Sequence, residues 1–132
     1  MKRYNIFYQV HKGLRALLYE TAISLQQADF TREEDIAEIS ERIDEAVYLF
    51  SRHAHTEDHL VLPAIETYEP SVADAFEGEH KEGEQLSLRL KNVIIALKDA
   101  DNEFDRTELG KTVNIVFAEF CTFNLRHMAK EE

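Results

Sequence analysis

The sequence predicts an all-α protein, an up-down-up-down antiparallel four-helix bundle. Three observations carry that expectation. Turn-forming residues are scarce, with four Gly and two Pro in 132 residues, too few for a many-stranded β fold. Apolar side chains recur at steps of three and four over long stretches, the period of a helix face laid on a core. Only three short segments interrupt that period, and short loops between long helices make antiparallel neighbours.

The first helix is expected over about 4–28, with Phe7, Leu14, Leu18 and Leu25 on its apolar face and His11 among them. It stops at Asp29-Phe30-Thr31, where Thr31 precedes Arg32-Glu33-Glu34 in a capping-box arrangement. The second helix, about 32–67, has the clearest stripe: Ile36, Ile39, Ile43, Ala46, Phe50, His53, Glu57, Leu60 and Ala64. Thr67 to Ser71 breaks it, and Pro70 suits the opening of a third helix over about 71–98. That helix presents Phe76, His80, Gly83, Ser87, Leu90, Ile94 and Leu97. Asp99 to Asn102 offers capping side chains before a fourth helix, about 104–131, whose face runs Leu109, Val113, Val116, Phe120, Phe123, His127 and Glu131. Gly78, Gly83 and Gly110 interrupt helical stretches at a cost of about 1 kcal/mol each against Ala. All 132 residues are expected to form one domain.

Composition removes several function classes. The formal net charge of −11 gives no basic footprint for nucleic acid or anionic membrane. A hydrophobic fraction of 44% is too high for a disordered acidic tail. The longest apolar run, Val93 to Leu97, falls far short of a membrane span, and the basic start lacks the apolar stretch of a secretory signal. Cys121 is the single cysteine, so no intrachain disulfide and no paired-cysteine zinc or redox site exists. A cytoplasmic location is expected.

The polar residues on the apolar faces carry the chemistry. A neutral imidazole and a carboxylate one turn apart in a core are expensive unless something binds them. His11 followed by His53-x-x-x-Glu57 is matched by His80 followed by His127-x-x-x-Glu131. Counted from the turns at 1.5 Å per residue, the depths of these side chains agree within roughly 2–6 Å. Four helices would thus deliver four imidazoles and two carboxylates to one layer, a dinuclear metal site. Imidazole with bridging carboxylate suits iron or manganese, and six ligands exceed one tetrahedral zinc site. His55 and His59 project about 200° away from His53 and Glu57 and are expected in solvent. Asp58 is expected to be a surface charge. Cys121, Phe50, Phe76, Phe120 and Phe123 are expected to serve packing.

This alternation of ligands resembles the hemerythrin-like, or HHE cation-binding, family over essentially the whole chain. The segment HTEDHLVLPAI is similar to the leucine-proline stretch that follows the family's HxxxE. The resemblance implies two iron ions, oxo- or hydroxo-bridged, with manganese or zinc ranked behind. It places His11 and His53 on one iron, His80 and His127 on the other, and Glu57 and Glu131 as bridges. Oxygen-carrying hemerythrins have a further histidine one turn after the first ligand of the third helix. Here that position is Glu84, a candidate additional ligand. The remaining six ligands stand nearer to hemerythrin-like sensors and to di-iron proteins of iron–sulfur repair.

The expected function is binding or sensing of oxygen, nitric oxide or iron. The alternative is a small di-iron oxidase, peroxide-handling or iron–sulfur-repair-type enzyme. Binding ranks first because no further acid–base constellation is visible. The fourth helix ends soon after His127, so one corner bordered by Ile6, Phe7, Leu62 and Phe76 is expected to lack cover. A homodimer or a missing C-terminal segment would supply it; an inward fold of the end of helix 2 is the alternative.

Overall fold

The computed structural model describes residues 8–132, and every regular element in them is helical. The elements are α1 (Tyr8–Gln27), α2 (Glu33–Thr56), a π-helical turn (Glu57–Val61), α3 (Leu62–Tyr68), α4 (Pro70–Asp99) and α5 (Glu103–Glu131). The expected second helix is therefore one rod in three pieces: α2, the π turn and α3. The α1 rod packs on α2 and α5, and α4 closes the ring by packing on the same two. The expected bundle is present. Positions 4–7, with Ile6 and Phe7, lie outside the described residues. Among those described, no helix is long and apolar enough to cross a membrane.

The core forms where the stripes meet. Leu18, Ile39, Ile43, Val47, Leu90, Ile94, Leu97 and Val113 are buried, each aliphatic side chain contributing about 1.5–3 kcal/mol by leaving water. Phe120 stands edge-on to Phe50 at 5.5 Å and lies over Phe117 at 6.0 Å. Phe117 is as deeply buried as Phe120, although the sequence stripe passed it over. Cys121 packs half-buried against this core, and burial pushes its thiol up to about 11, so it is an inert filler.

Three element ends differ in how far they follow the sequence. Asn102 caps α5, its side-chain oxygen accepting from Asp105 N–H at 2.8 Å. Pro70 opens α4 at the first turn, where its missing N–H costs nothing. Thr31, however, does not cap α2. Arg32 holds the cap position without a side-chain bond, while Asp29 accepts from both the amide (2.9 Å) and the hydroxyl (2.6 Å) of Thr31. Asp35, in the first turn of α2, accepts from the Asp29 amide at 2.8 Å. Asp29 wins because an aspartate two residues upstream closes a local turn before the helix starts.

Two of the helical glycines have a packing reason. Phe30 folds from the α1–α2 loop onto Gly110, where a β-carbon would lie 2.4 Å from its ring. Phe123 lies against Gly83 at 3.0 Å in the same sense.

The largest departure concerns Pro63. A proline inside a helix has no amide hydrogen, and its ring presses on the carbonyl four residues back. The rod answers by widening the preceding turn: Leu62 N–H reaches Glu57 O, five residues back, across Glu57–Val61. The extra residue rotates the stripe. Leu60, expected inside, is 71% exposed, and Ala64 is exposed with it. Leu62 is buried in their place, with Val61 and Ile65 half-buried. Of the residues expected to border an uncovered corner, Leu62 is buried and Phe76 is half-buried. Among the described residues, the wet apolar side chains at that end include Tyr8, Val10, Leu60, Tyr68 and Val72.

Candidate metal centre

Near the α3–α4 end, the four rods point polar side chains at one another. His11 from α1, His53 from α2, Glu57 from the π turn, His80 from α4 and His127 and Glu131 from α5 form one layer, buried except for the half-buried His53. The i, i+4 spacing sets His53 beside Glu57 and His127 beside Glu131 on their own rods. Ring order then brings the four rods together.

The contacts have a definite connectivity. Glu57 Oε1 lies 2.8 Å from His53 Nε2 and 3.6 Å from His80 Nε2. Glu131 Oε1 lies 3.3 Å from His11 Nε2 and 3.5 Å from His127 Nε2. His11 Nε2 and His53 Nε2 are 3.1 Å apart, and the His80 and His127 rings are 4.7 Å apart. Two groups of potential ligands result: His11, His53, Glu57, Glu131, and Glu57, His80, His127, Glu131, each with ligand atoms within 4.8 Å of one another. Both groups contain both glutamates. Each carboxylate thus touches one imidazole of each pair, the placement a bridging carboxylate requires.

The polar atoms are aimed at the centre of the layer. Among the described residues, both carboxylate oxygens of Glu57 and of Glu131, and Nε2 of His80 and of His127, are buried without a hydrogen-bond partner. Such groups cost about 1–3 kcal/mol apiece when left unmatched, and more when charged. Convergent imidazole and carboxylate lone pairs at this spacing fit metal cations. The chain matches the family model of the hemerythrin HHE cation-binding domain over residues 3–132.

It belongs to the hemerythrin HHE family. No curated protein and no solved structure matches the chain. Membership and the two ligand groups together establish a domain with His/Glu groups that could hold metal cations.

The electrostatics of this hemerythrin-like layer follow its contacts. Burial pushes the Glu57 carboxyl up, but the contacts with His53 and His80 outweigh it and hold the group down at about 2. Burial lowers His11, against the pull of Glu132. It also lowers His127, helped by neighbouring His80. His80 goes the other way: burial lowers it, yet contacts at its two ring nitrogens, from Glu57 and Asp58, leave it raised. Phe76 edge-on and Phe123 stacked, both 5.9 Å from the His127 ring, supply an apolar wall.

All six residues expected as ligands from the spacing lie in this layer. Glu84 belongs to neither ligand group; it is exposed and stands at the rim of the adjoining cavity. His55 and His59 are exposed as expected, their rings 4.1 Å apart. Asp58 is not the free surface charge the sequence suggests. Its Oδ1 lies 2.7 Å from His80 Nδ1, because the widened π turn lets two consecutive residues reach one imidazole. Glu79, 3.1 Å from His127 Nδ1, and Glu132, 3.4 Å from His11 Nδ1, are likewise absent from the sequence reading. One signal could have found them: each is the chain neighbour of a ligand.

Proposed function

We propose that this layer holds two iron ions, with Glu57 and Glu131 bridging them, and that the protein binds or senses a diatomic ligand such as oxygen or nitric oxide, or iron itself. The observation that carries the proposal is the pair of four-residue groups sharing both carboxylates. His11 and His53 would hold one ion terminally, His80 and His127 the other. Six nitrogen and oxygen ligands arranged in this way favour iron over a single tetrahedral zinc. A di-iron centre supplies one- and two-electron chemistry toward small molecules.

The surroundings support a small ligand. A cavity of about 40 Å³ adjoins the layer, lined by His53, Glu57, His80 and His127 on one side and Phe50, Phe123 and Met128 on the other. A water needs roughly 10–15 Å³ by the same measure, so a diatomic or a few waters fit, whereas organic ligands occupy pockets of roughly 300–1,000 Å³. The aromatic wall limits water. Asn124, also at the wall, commits its amide nitrogen to Phe120 O at 2.8 Å. Among the described residues, Glu84 is the one carboxylate lining the cavity outside the ligand set, and it is exposed. With one solvated carboxylate and no second acid–base partner, binding is favoured over an oxidase or repair role. The lone cysteine agrees with a reducing, cytoplasmic setting.

The test is metal analysis of protein purified without an affinity tag, followed by mixing of the reduced form with oxygen. Two irons per chain and a stable, reversible adduct are expected. Zinc alone, or no metal after anaerobic iron loading, would remove the di-iron reading. Continuous oxygen consumption with no adduct would favour the enzyme instead.

A further inference from the structure

We propose that Asp58 and Glu79 are positioning residues that lock His80 and His127 by hydrogen bonds at Nδ1, with Glu132 at a longer ion-pair distance from His11, and that His53, which no carboxylate among the described residues orients, makes the His11/His53 half of the centre the exchangeable one. The inference rests on the two-metal reading above.

A neutral imidazole has one donor and one acceptor nitrogen. An N–H given to a carboxylate at Nδ1 fixes the tautomer, orients the ring and leaves the Nε2 lone pair for a metal. Here the four Nε2 atoms face the layer. Nδ1 of His80, His127 and His11 faces outward, to Asp58 at 2.7 Å, Glu79 at 3.1 Å and Glu132 at 3.4 Å. Two of these carboxylates are held in turn, Glu79 by Lys130 Nζ at 2.7 Å and Glu132 by Arg15 Nη1 at 3.2 Å.

The locks follow the order of the rods. Asp58 sits beside Glu57 and reaches across to α4. Glu79 sits beside His80 and reaches across to α5. Glu132 sits beside Glu131 and reaches across to α1. Three of the four rods that supply a ligand therefore place a carboxylate against an imidazole on the next. The ring is broken at α2: among the described residues, no carboxylate meets His53 Nδ1. The His53 side chain is also 14% exposed, against 0% for His11, 4% for His80 and 6% for His127. A groove of about 470 Å³ between α1 and α2, walled by Val10, Leu49 and Arg52, reaches His53 and Glu57. The least oriented ligand thus also faces a groove wider than the 40 Å³ cavity.

The experiment is anaerobic removal of iron from the two-iron protein by the ferrous chelator ferrozine, with release followed by absorbance. Two phases of one iron each are expected, the first at least about tenfold faster. His53→Ala should load a single iron that leaves at the slow rate. Asp58→Ala and Glu79→Ala should speed the slow phase by about 10–100-fold, the range found when outer partners of metal-bound histidines are removed. Asp58→Asn and Glu79→Gln, whose amide oxygens still accept the ring N–H, should restore most of the slow phase. That rescue separates ring positioning from a general loss of packing. The Mössbauer spectrum of protein stopped after the first phase should hold one iron site. Release of both irons in one phase would overturn the proposal. So would unchanged rates in both alanine variants, or a His53→Ala iron that leaves at the fast rate. Fewer than two irons per chain before chelator is added is a separate result, overturning the two-metal reading and this inference with it.

Discussion

The two ends of the bundle solve opposite problems with the same four rods. The end bearing the α1–α2 and α4–α5 loops is closed by matching: Phe30 fills the space over Gly110, and Asn102 caps α5. Arg106 ties Ala100 O (3.1 Å) and Glu33 (3.2 Å) together there. Aliphatic side chains below it need nothing beyond one another. At the other end, buried carboxylate oxygens of Glu57 and Glu131 converge without hydrogen-bond partners among the described residues. At the first end the hydroxyl of Ser40 alone among the described side chains is buried without a partner, whereas at the second the unmatched atoms gather into groups that could hold cations. A buried polar layer is costly in isolation, so the apolar half supplies the stability that lets the polar half stay assembled.

Substitutions at the two ends should separate metal content from stability. Glu57→Ala should give the largest effect, loss of bound metal from folded protein, whereas His59→Ala, on the exposed face, should keep it. Metal analysis alongside far-UV circular dichroism makes the comparison, and equal loss in both variants would break the assignment. Removing metal from the native protein should lower the melting temperature, since a ligand bound only by the folded state stabilises it by about 4 kcal/mol at a thousand times its Kd. An unchanged melt would mean the polar layer holds nothing.

Smaller effects are expected at the apolar end, with metal content preserved. Leu90→Ala should cost about 2–5 kcal/mol in denaturant unfolding, the range for a buried leucine. Gly110→Ala should cost about 1–3 kcal/mol, because the new β-carbon meets the Phe30 ring rather than a flexible tip. Phe30→Ala in that background should recover part of the loss. Asn102→Ala should cost about 1 kcal/mol through the lost α5 cap. Loss of metal in any of these three would show that the two ends are coupled more tightly than their separate contacts suggest.

The sequence by itself determined the rods and the direction of their faces. Helical period is local: a step of three or four residues places His11, His53, Glu57, His80, His127 and Glu131 inward whatever the partner rod is. Turn positions then brought their depths into register, which made the metal layer legible before any contact was known. Only the tertiary structure decided what crosses between rods. The π turn ahead of Pro63 is a local strain, but its outcome depends on which residues the neighbouring rods will bury, so Leu60 and Leu62 exchange places against expectation. Asp58 reads as a surface charge on its own helix, and nothing along the chain singles out Glu79 or Glu132. Each gains its role from an imidazole on a different rod, 22 residues away in one case. Periodicity along a chain fixes which way a side chain points, whereas its partner is fixed by the rotation and offset of two packed helices, which no single stretch of sequence contains.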